Sequence, residues 1–274
     1  MLLSRILTGL VGVPLIVAAI WAGQPWVLSV VLVAGIIAVC EFYNLHNLSN
    51  PKLPKLIGVV WIAALIFSIS NHSGLFQTSM HILIISVSGI FISGLWIIAC
   101  YHSKDFFRAL GYLVVGPTYI GILIAHATLY YDLDLLGQYD GIWLAFAILC
   151  TFSTDTCALI FGKTMGRHAM AKNISPNKTW EGSIGGFIGA IIFATAFCIS
   201  LSMTSYFWQI LALGATVGLV SQCGDLVESK IKRISHVKNS SSIIPGHGGL
   251  LDRLDSLLWA IPSVYYLLPV IFVL

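Results

Sequence analysis

The sequence predicts an all-α, polytopic integral membrane protein, and two observations carry this prediction. Hydrophobic residues make up 58% of the 274 residues and charged residues only 9%, whereas about a quarter of the residues in soluble domains are charged. A helix that crosses a bilayer needs roughly 20 mostly apolar residues. Segments of this length or longer, without Asp, Glu, Lys or Arg, cover 6–40, 56–103, 109–131, 182–224 and 256–274.

Polar turns divide the longest of these segments, at 23–25, 70–74 and 202–205. The division predicts nine transmembrane helices, at about 6–22, 26–45, 56–71, 79–100, 109–130, 142–162, 182–201, 205–224 and 256–273. We expect the first to be a span rather than a cleaved signal peptide, because further spans follow at once and no small-residue cleavage site closes it.

The positions of Lys and Arg predict the orientation of these helices. If the N-terminus is cytoplasmic, all 14 Lys and Arg residues fall on the cytoplasmic side. The predicted outer loop 131–141 carries only acids among its charged residues. The distribution therefore predicts a multi-pass protein with a cytoplasmic N-terminus. We also expect its membrane to be the inner (cytoplasmic) membrane of a bacterial cell.

The chain is expected to form a single transmembrane domain, 1–274, whose two parts differ in charge. Residues 1–150 are expected to be mainly scaffold helices. Residues 151–274 contain nine of the 14 basic residues and six of the 11 acidic ones, so we expect the catalytic half there. The six cysteines show no CxxC spacing, which favours core packing over a disulfide or metal framework.

Acidic residues in this half predict a metal site on the cytoplasmic side. Asp252 and Asp255 would share a helix face if the chain is helical from about residue 249, and a shared cation would remove their repulsion. Asp225 and Glu228 repeat the i, i+3 spacing, and such hard oxygen ligands suit Mg²⁺ or Mn²⁺. Capping and local pairing are the alternative, and Glu228 with Lys232 at i, i+4 is expected to be such a pair.

Groups that could bind phosphate lie nearby. Gly246, Gly248 and Gly249 precede a predicted helix, whose free N–H groups could bind an anion, although glycines here are also ordinary turn residues. The loop 162–182 contains "SPNKTWEG", in which Lys178 could bind a phosphate; its positive charge alone could instead reflect topology or anionic lipid.

A further carboxylate, Asp155, lies inside the sixth predicted span, where acids are rare and usually functional, although neighbouring hydroxyls could also satisfy it. A metal site with phosphate-binding groups in a membrane protein indicates phosphoryl or nucleotidyl transfer to a lipid.

The run 229–255, "SKIKRISHVKNSSSIIPGHGGLLDRLD", resembles the signature of the phosphatidate cytidylyltransferases, also called CDP-diacylglycerol synthases. One element departs, since Asn239 stands where the family has Asp. "SPNKTWEG", "SQCGDLVES" and "TDTCALIFGKTMGRH" resemble further family motifs, and in the last Cys157 replaces a Gly. The resemblance is strong over 151–259 and weaker in "RILTGLVGVPLIV" and "CEFYNL".

The resemblance implies a nucleotidyltransferase of phospholipid biosynthesis that condenses CTP with phosphatidic acid to give CDP-diacylglycerol and pyrophosphate. It implies that Asp225, Asp252 and Asp255 hold Mg²⁺ (or Mn²⁺). The catalytic candidates are these three acids with Lys178 and Arg253. The substrate-binding candidates are Ser175, Lys232, Arg233, Lys238, Gly246, His247, Gly248 and Gly249.

Two other functions stay open. A related CTP-dependent transferase or kinase could act on another membrane lipid, because the residues do not define the acceptor. A transporter would be expected to show repeated halves with interrupted helices, whereas here charge gathers on one side of the C-terminal half. The expected partners are CTP, phosphatidic acid and the lipid bilayer. A homodimer is an option, and no nucleic acid is expected.

Overall fold

The computed structural model describes residues 2–45, 52–71, 75–100, 106–133, 141–171, 174–241, 243 and 248–273. The helices are α1 (Leu2–Ala22), α2 (Gln24–Asn44), α3 (Lys52–Ser70), α4 (Leu75–Cys100), α5 (Phe106–Leu129), α6 (Ile142–Met165), α7 (Trp180–Ser200), α8 (Phe207–Ile234), α9 (Leu251–Leu254) and α10 (Leu257–Val273). Two short strands, β1 (Ala169–Ala171) and β2 (Ser175–Thr179), lie between α6 and α7.

The described residues confirm the predicted class, an all-α polytopic membrane protein. Seven of the described helices are long and apolar enough to cross a membrane. Two further helices, α1 and α3, contain the shorter apolar stretches Leu10–Ala22 and Pro54–Ser70. Apart from the C-terminal end of α8, the nine long helices of the described residues agree with the nine predicted segments to within several residues, but the number that cross the membrane stays a prediction.

The structure departs from the expected cytoplasmic loops at two places. Helix α8 continues to Ile234, past its predicted end at 224, so Asp225 and Glu228 lie on a helix. Hydropathy marks only the apolar part of such a helix, whereas its charged last turns are good helix formers. In the loop 162–182, β1 and β2 form an antiparallel hairpin that pairs Ala169 with Thr179.

The expectation that Asp252 and Asp255 share one helix face is wrong. Helix α9 ends at Leu254, and α10 begins at Leu257. The Asp255 carboxylate accepts a hydrogen bond from the backbone N–H of Ser256 at 2.7 Å. Such a bond between a side chain and the local backbone competes with helical hydrogen bonding, and a turn therefore separates the two aspartates.

The chain divides into two compact units. The first unit comprises Met1–Leu129 and Asn239–Asp252, and the second comprises Tyr130–Lys238 and Arg253–Leu274. The single domain 1–274, with its scaffold and catalytic halves, stays a prediction.

In the core of the first unit, aromatic rings pack directly on glycine residues of neighbouring helices. A Cβ atom added at Gly58 would lie 2.3 Å from the Tyr43 ring, and one at Gly89 would lie 2.3 Å from the Trp61 ring. The Tyr43 hydroxyl donates a hydrogen bond to the backbone oxygen of Leu113 at 2.8 Å. The Tyr43 contacts hold α2 against α3 and α5, and the Trp61 contact holds α3 against α4.

Glycines also bring the helices of the second unit together, as small residues do in membrane helix packing. A Cβ at Gly186 would lie 2.9 Å from the backbone oxygen of Thr154, and one at Gly189 would lie 2.5 Å from Cys157 Sγ. Cys157, which replaces a family glycine, therefore packs on the bare backbone of Gly189. Helix α7 thus lies against α6 at the end of the hairpin.

Candidate active site

An ion pair between β2 and α8 is the centre of the candidate site in the second unit. The Nζ atom of Lys178 lies 2.5 Å from Asp225 Oδ2, and the two side chains are 24% and 29% exposed. Asp225 Oδ1 also accepts a hydrogen bond from Ser229 Oγ at 3.2 Å. Two predicted site residues from different motifs are therefore in contact and accessible to solvent.

The motif "SPNKTWEG" positions the lysine through the turn that follows it. Thr179 caps α7, because its Oγ1 accepts a hydrogen bond from the N–H of Gly182 at 3.1 Å. Glu181 Oε2 accepts from the backbone N–H groups of Arg167 and His168, and Glu181 Oε1 lies 2.5 Å from His168 Nδ1. The charge of Glu181 therefore stabilises the hairpin end of α7.

Asp255 approaches Asp225 because α10 packs closely on α8. A Cβ at Gly224 would lie 2.6 Å from the backbone oxygen of Asp255. Asp255 is only 9% exposed, and its charge interacts with those of Asp225 and Lys232. The carboxylates of Asp225 and Asp255 repel each other, and that of Asp255 is buried.

Asp155 joins the same group of charges from α6. It is exposed in the described structure, and its charge interacts with those of Asp225, Asp255, Lys178 and Arg253. The sequence singled out Asp155 as an unusual acid within a span, but spacing gave no link to the other motifs. We call these five residues, Asp155, Lys178, Asp225, Arg253 and Asp255, the charged cluster.

Two of the predicted phosphate ligands have protein partners. Lys232 Nζ lies 3.2 Å from Glu228 Oε1 with both side chains buried, which confirms the expected i, i+4 pair. Arg233 donates from Nε to the backbone oxygen of Ile174 at 3.0 Å and from Nη1 to that of Val237 at 3.3 Å. Substrate binding by Lys232 and Arg233 stays a prediction.

The remaining basic and polar candidates lie at the ends of elements. Ser175 begins β2, Lys238 is exposed beyond the end of α8, and Arg253 is exposed on α9. Gly246 and His247 lie outside the described residues. Contact with substrate is a prediction for all five.

Asp252 lies in the first unit, where the backbone holds its carboxylate. The N–H of Ser240 is 3.1 Å from each carboxylate oxygen, and the N–H of Gly249 is 3.0 Å from Oδ2. Gly248 has a φ of +87°, which favours glycine, and a Cβ there would lie 3.0 Å from Asp252 Oδ2. The side chain therefore has a fixed position on its own loop.

Glu41, on α2, is the residue that the sequence analysis missed. It is 0% exposed, and it accepts hydrogen bonds from Ser240 Oγ at 3.1 Å and Ser241 Oγ at 2.6 Å. It also accepts from the backbone N–H groups of Leu250 at 3.0 Å and Leu251 at 2.8 Å. The sequence contains one signal that could have identified Glu41: it is a single acid at the end of a long uncharged segment, in "CEFYNL".

The described N–H groups of the glycine-rich turn have partners within the chain. The N–H of Gly249 donates to Asp252, and those of Leu250 and Leu251 donate to Glu41. In the structure these amides bind carboxylates of the chain itself, and substrate binding by Gly246, Gly248 and Gly249 stays a prediction. We call Glu41, Ser240, Ser241 and 249–252 the loop base.

The donor atoms of the charged cluster fit Mg²⁺. Among the described residues, no group of three or more His, Cys, Asp or Glu has the arrangement of a metal site. Mg²⁺ usually takes one or two carboxylates and completes its shell with water and substrate phosphate. Asp225 and Asp255 have that number of hard donor groups, and metal binding by Asp225, Asp252 and Asp255 stays a prediction.

Comparison with known proteins places the whole chain in one family. A family model described as the cytidylyltransferase family matches residues 3–271. A phosphatidate cytidylyltransferase of Bacillus subtilis (strain 168) is 30% identical over 271 residues, which cover 97% of each chain. One of Staphylococcus aureus (strain COL) is 32% identical over 237 residues, which cover 86% of this chain and 87% of the relative. This chain therefore belongs to the cytidylyltransferase family.

Proposed function

We propose that the chain is a phosphatidate cytidylyltransferase, which transfers CMP from CTP to phosphatidic acid to give CDP-diacylglycerol and pyrophosphate. The relatives of that name, about 30% identical along almost the whole chain, support this function. The observation that carries it is the contact of Lys178 with Asp225 beside Asp255. This contact joins three separate motifs into a cluster with carboxylates for a metal and cations for phosphates.

The reaction needs positioning and charge neutralisation more than proton transfer. An oxygen of the phosphatidate phosphate forms a bond to the α-phosphorus of CTP. The bond from that phosphorus to the oxygen bridging the α- and β-phosphates breaks, and pyrophosphate leaves. The attacking phosphate is already an anion at neutral pH, so the mechanism needs no general base.

The cations of the charged cluster supply part of this neutralisation. Lys178 lies on a strand fixed by the cap of α7, and we assign it to the triphosphate. Arg253 is exposed and can bind a phosphate with two N–H groups. Asp225 and Asp255 would hold Mg²⁺, which when bound would neutralise charge on the triphosphate and on the leaving pyrophosphate.

The sharpest test of this function uses CTP labelled at either end of the triphosphate. Purified protein with Mg²⁺ and phosphatidate is expected to transfer label from [α-³²P]CTP into the lipid fraction and to release label from [γ-³²P]CTP as pyrophosphate. A lipid kinase would do the reverse, with γ-label in the lipid. Label from neither position in the lipid would reject both transfer reactions for this acceptor.

We further propose that nine helices cross a bacterial inner membrane with the N-terminus in the cytoplasm, and a homodimer stays a prediction. Asn177 and Ser205 are both exposed and are predicted to lie on opposite sides. In a cysteine-free background, Ser205→Cys should react with an impermeant thiol reagent in intact cells, and Asn177→Cys only after permeabilisation. The opposite pattern would invert the orientation.

A further inference from the structure

We propose that Glu41 is a positioning residue that holds the Asp252 carboxylate and the start of α9 in their working arrangement. This inference rests on the proposed function, because Asp252 is a predicted Mg²⁺ ligand only through the resemblance to the phosphatidate cytidylyltransferases. Glu41 itself has no assigned part in the reaction.

The environment of Glu41 shows that its carboxylate is built into the fold. A buried carboxylate is costly unless hydrogen bonds satisfy it, and Glu41, at 0% exposure, accepts four of them. Two come from serine hydroxyls and two from backbone N–H groups. Glu41 is also the only acidic residue in the candidate span Gln24–Asn44, where an ionisable residue is by default functional.

The four donors come from both ends of one chain segment. Ser240 and Ser241 lie at its beginning, and Leu250 and Leu251 lie at its end. The Glu41 carboxylate on α2 therefore binds both ends of this segment and holds them close together. A displacement of Glu41 would release both ends together.

The same two ends hold Asp252. The N–H of Ser240 donates to both Asp252 oxygens, and the N–H of Gly249 donates to Oδ2. Ser240 thus links the carboxylates, with its hydroxyl on Glu41 and its N–H on Asp252. The contact gives a direct route by which Glu41 sets the orientation of Asp252.

Gly249 shows how closely the loop base is packed. A Cβ there would lie 1.8 Å from Ser240 Oγ and 2.6 Å from Glu41 Oε2. A side chain at this position would displace the serine or the glutamate. The glycine of the signature is therefore needed for the internal contact between α2 and the loop.

Residues that orient a metal ligand typically contribute about 10- to 100-fold to metal affinity or activity. We expect a loss in that range for Glu41→Gln, which keeps the size of the side chain. One of its two terminal atoms would become an N–H donor, which cannot accept the bonds that Oε1 or Oε2 now accepts.

The matched control is Tyr43→Phe, on the same helix. It removes a buried hydrogen bond, that of the Tyr43 hydroxyl to Leu113, without touching the loop base. The first measurement is amide hydrogen exchange of the metal-free protein, read on peptides that contain Ser240 and 249–252. The second is the Mg²⁺ dependence of CDP-diacylglycerol formation in both variants.

We expect Glu41→Gln to exchange faster at Ser240 and 249–252 than wild type, and Tyr43→Phe to exchange as wild type there. The Mg²⁺ concentration for half-maximal rate should rise about tenfold or more in Glu41→Gln alone, with part of the rate recovered at high Mg²⁺. A loss through general destabilisation would instead speed exchange in peptides outside Ser240 and 249–252 as well. Equal exchange and equal Mg²⁺ dependence in the two variants would overturn the proposal.

A double-mutant cycle with Asp252→Asn adds an independent readout. If Glu41 acts through Asp252, the second substitution adds little to the loss caused by the first, whereas independent residues give multiplicative losses. Should Glu41→Gln fail to fold, Ser241→Ala removes only one of the four donors, and faster exchange at 249–252 is again expected. If the wild-type protein makes no CDP-diacylglycerol, the proposed function is rejected. The amide hydrogen exchange would still show whether Glu41 holds Ser240 and 249–252 in place.

Discussion

The carboxylates of the charged cluster and those of the loop base are satisfied in different ways. In the cluster, Asp225 is 29% exposed and pairs with the flexible side chain of Lys178. In the loop base, Glu41 is 0% exposed and binds hydroxyl and backbone N–H groups. A side-chain cation can exchange its partner for a ligand, whereas a backbone amide cannot do so unless the chain moves. From this difference we infer that the cluster binds exchangeable ligands, whereas the loop base fixes positions.

The largest effect is expected from Asp225→Asn and Asp255→Asn, which remove charge from the cluster. Each should lower kcat by about a hundredfold or more, as the loss of transition-state charge stabilisation does. Steady-state rates with CTP and phosphatidate provide the measurement. Asp132→Asn, which changes an exposed acid, is the control, and full activity in either cluster variant would contradict the assignment.

Asp252→Asn should combine both kinds of loss. The amide would keep one acceptor oxygen but would turn an N–H group toward the N–H groups of Ser240 and Gly249. We expect kcat to fall by about a hundredfold or more and the Tm to fall as well, unlike the Tm of Asp255→Asn. Thermal unfolding in detergent measures the second effect, and equal Tm values would remove the distinction between the two aspartates.

Lys178→Met should have a smaller effect, because Arg253 and the metal retain positive charge near the triphosphate. We expect kcat/KM for CTP to fall about 10- to 100-fold, since removal of one electrostatic donor to the transition state costs up to a few kcal/mol. Lys230→Met is the control, as Lys230 is exposed on α8. The same loss in both variants would indicate a general effect of net charge.

The smallest effect is expected at Asn239, the departure from the family signature. Asn239 is exposed and directly precedes Ser240, whose N–H binds Asp252. Asn and Asp form the same local turns, so Asn239→Asp should change the apparent Mg²⁺ affinity by less than about tenfold, or about 1.4 kcal/mol. If the substitution activates an otherwise silent protein, Asp at this position has a role in metal binding and the native chain is a degenerate family member.

The sequence predicted the helices well because apolar length alone defines a membrane span. It placed α2 at 26–45 and α10 at 256–273, close to Gln24–Asn44 and Leu257–Val273. It missed the last turns of α8, since hydropathy does not register a helix that continues beyond the apolar segment. The hairpin β1–β2 was missed because its strands have three and five residues, too few for a periodic pattern.

The candidate site was only partly predictable, for a different reason. Lys178, Asp225 and Asp255 each stand in a motif. The structure brings Lys178 into contact with Asp225 and leaves Asp255 within reach of the charge of Asp225, and their joint action on a substrate stays a prediction. The contact of Glu41 with Leu251 joins residues 210 positions apart, and no local pattern reports such a pairing. The glycine-rich turn was interpreted as an anion site. In the structure, the N–H groups of Gly249 and Leu250 bind the carboxylates of Asp252 and Glu41, and a contact of this turn with substrate stays a prediction.

Metal binding in the absence of nucleotide tests the central distinction most directly. In the structure, Lys178 lies on Asp225, and a metal at Asp225 has to compete with that positive charge. Mn²⁺ binding to the purified protein without CTP, followed by electron paramagnetic resonance, should therefore be tighter in Lys178→Met than in wild type and weaker in Asp225→Asn, although both variants lose activity. Mn²⁺ binding that is unchanged or weaker in Lys178→Met would contradict the account, because Asp225 would then be a fixed ion-pair partner rather than a ligand that exchanges.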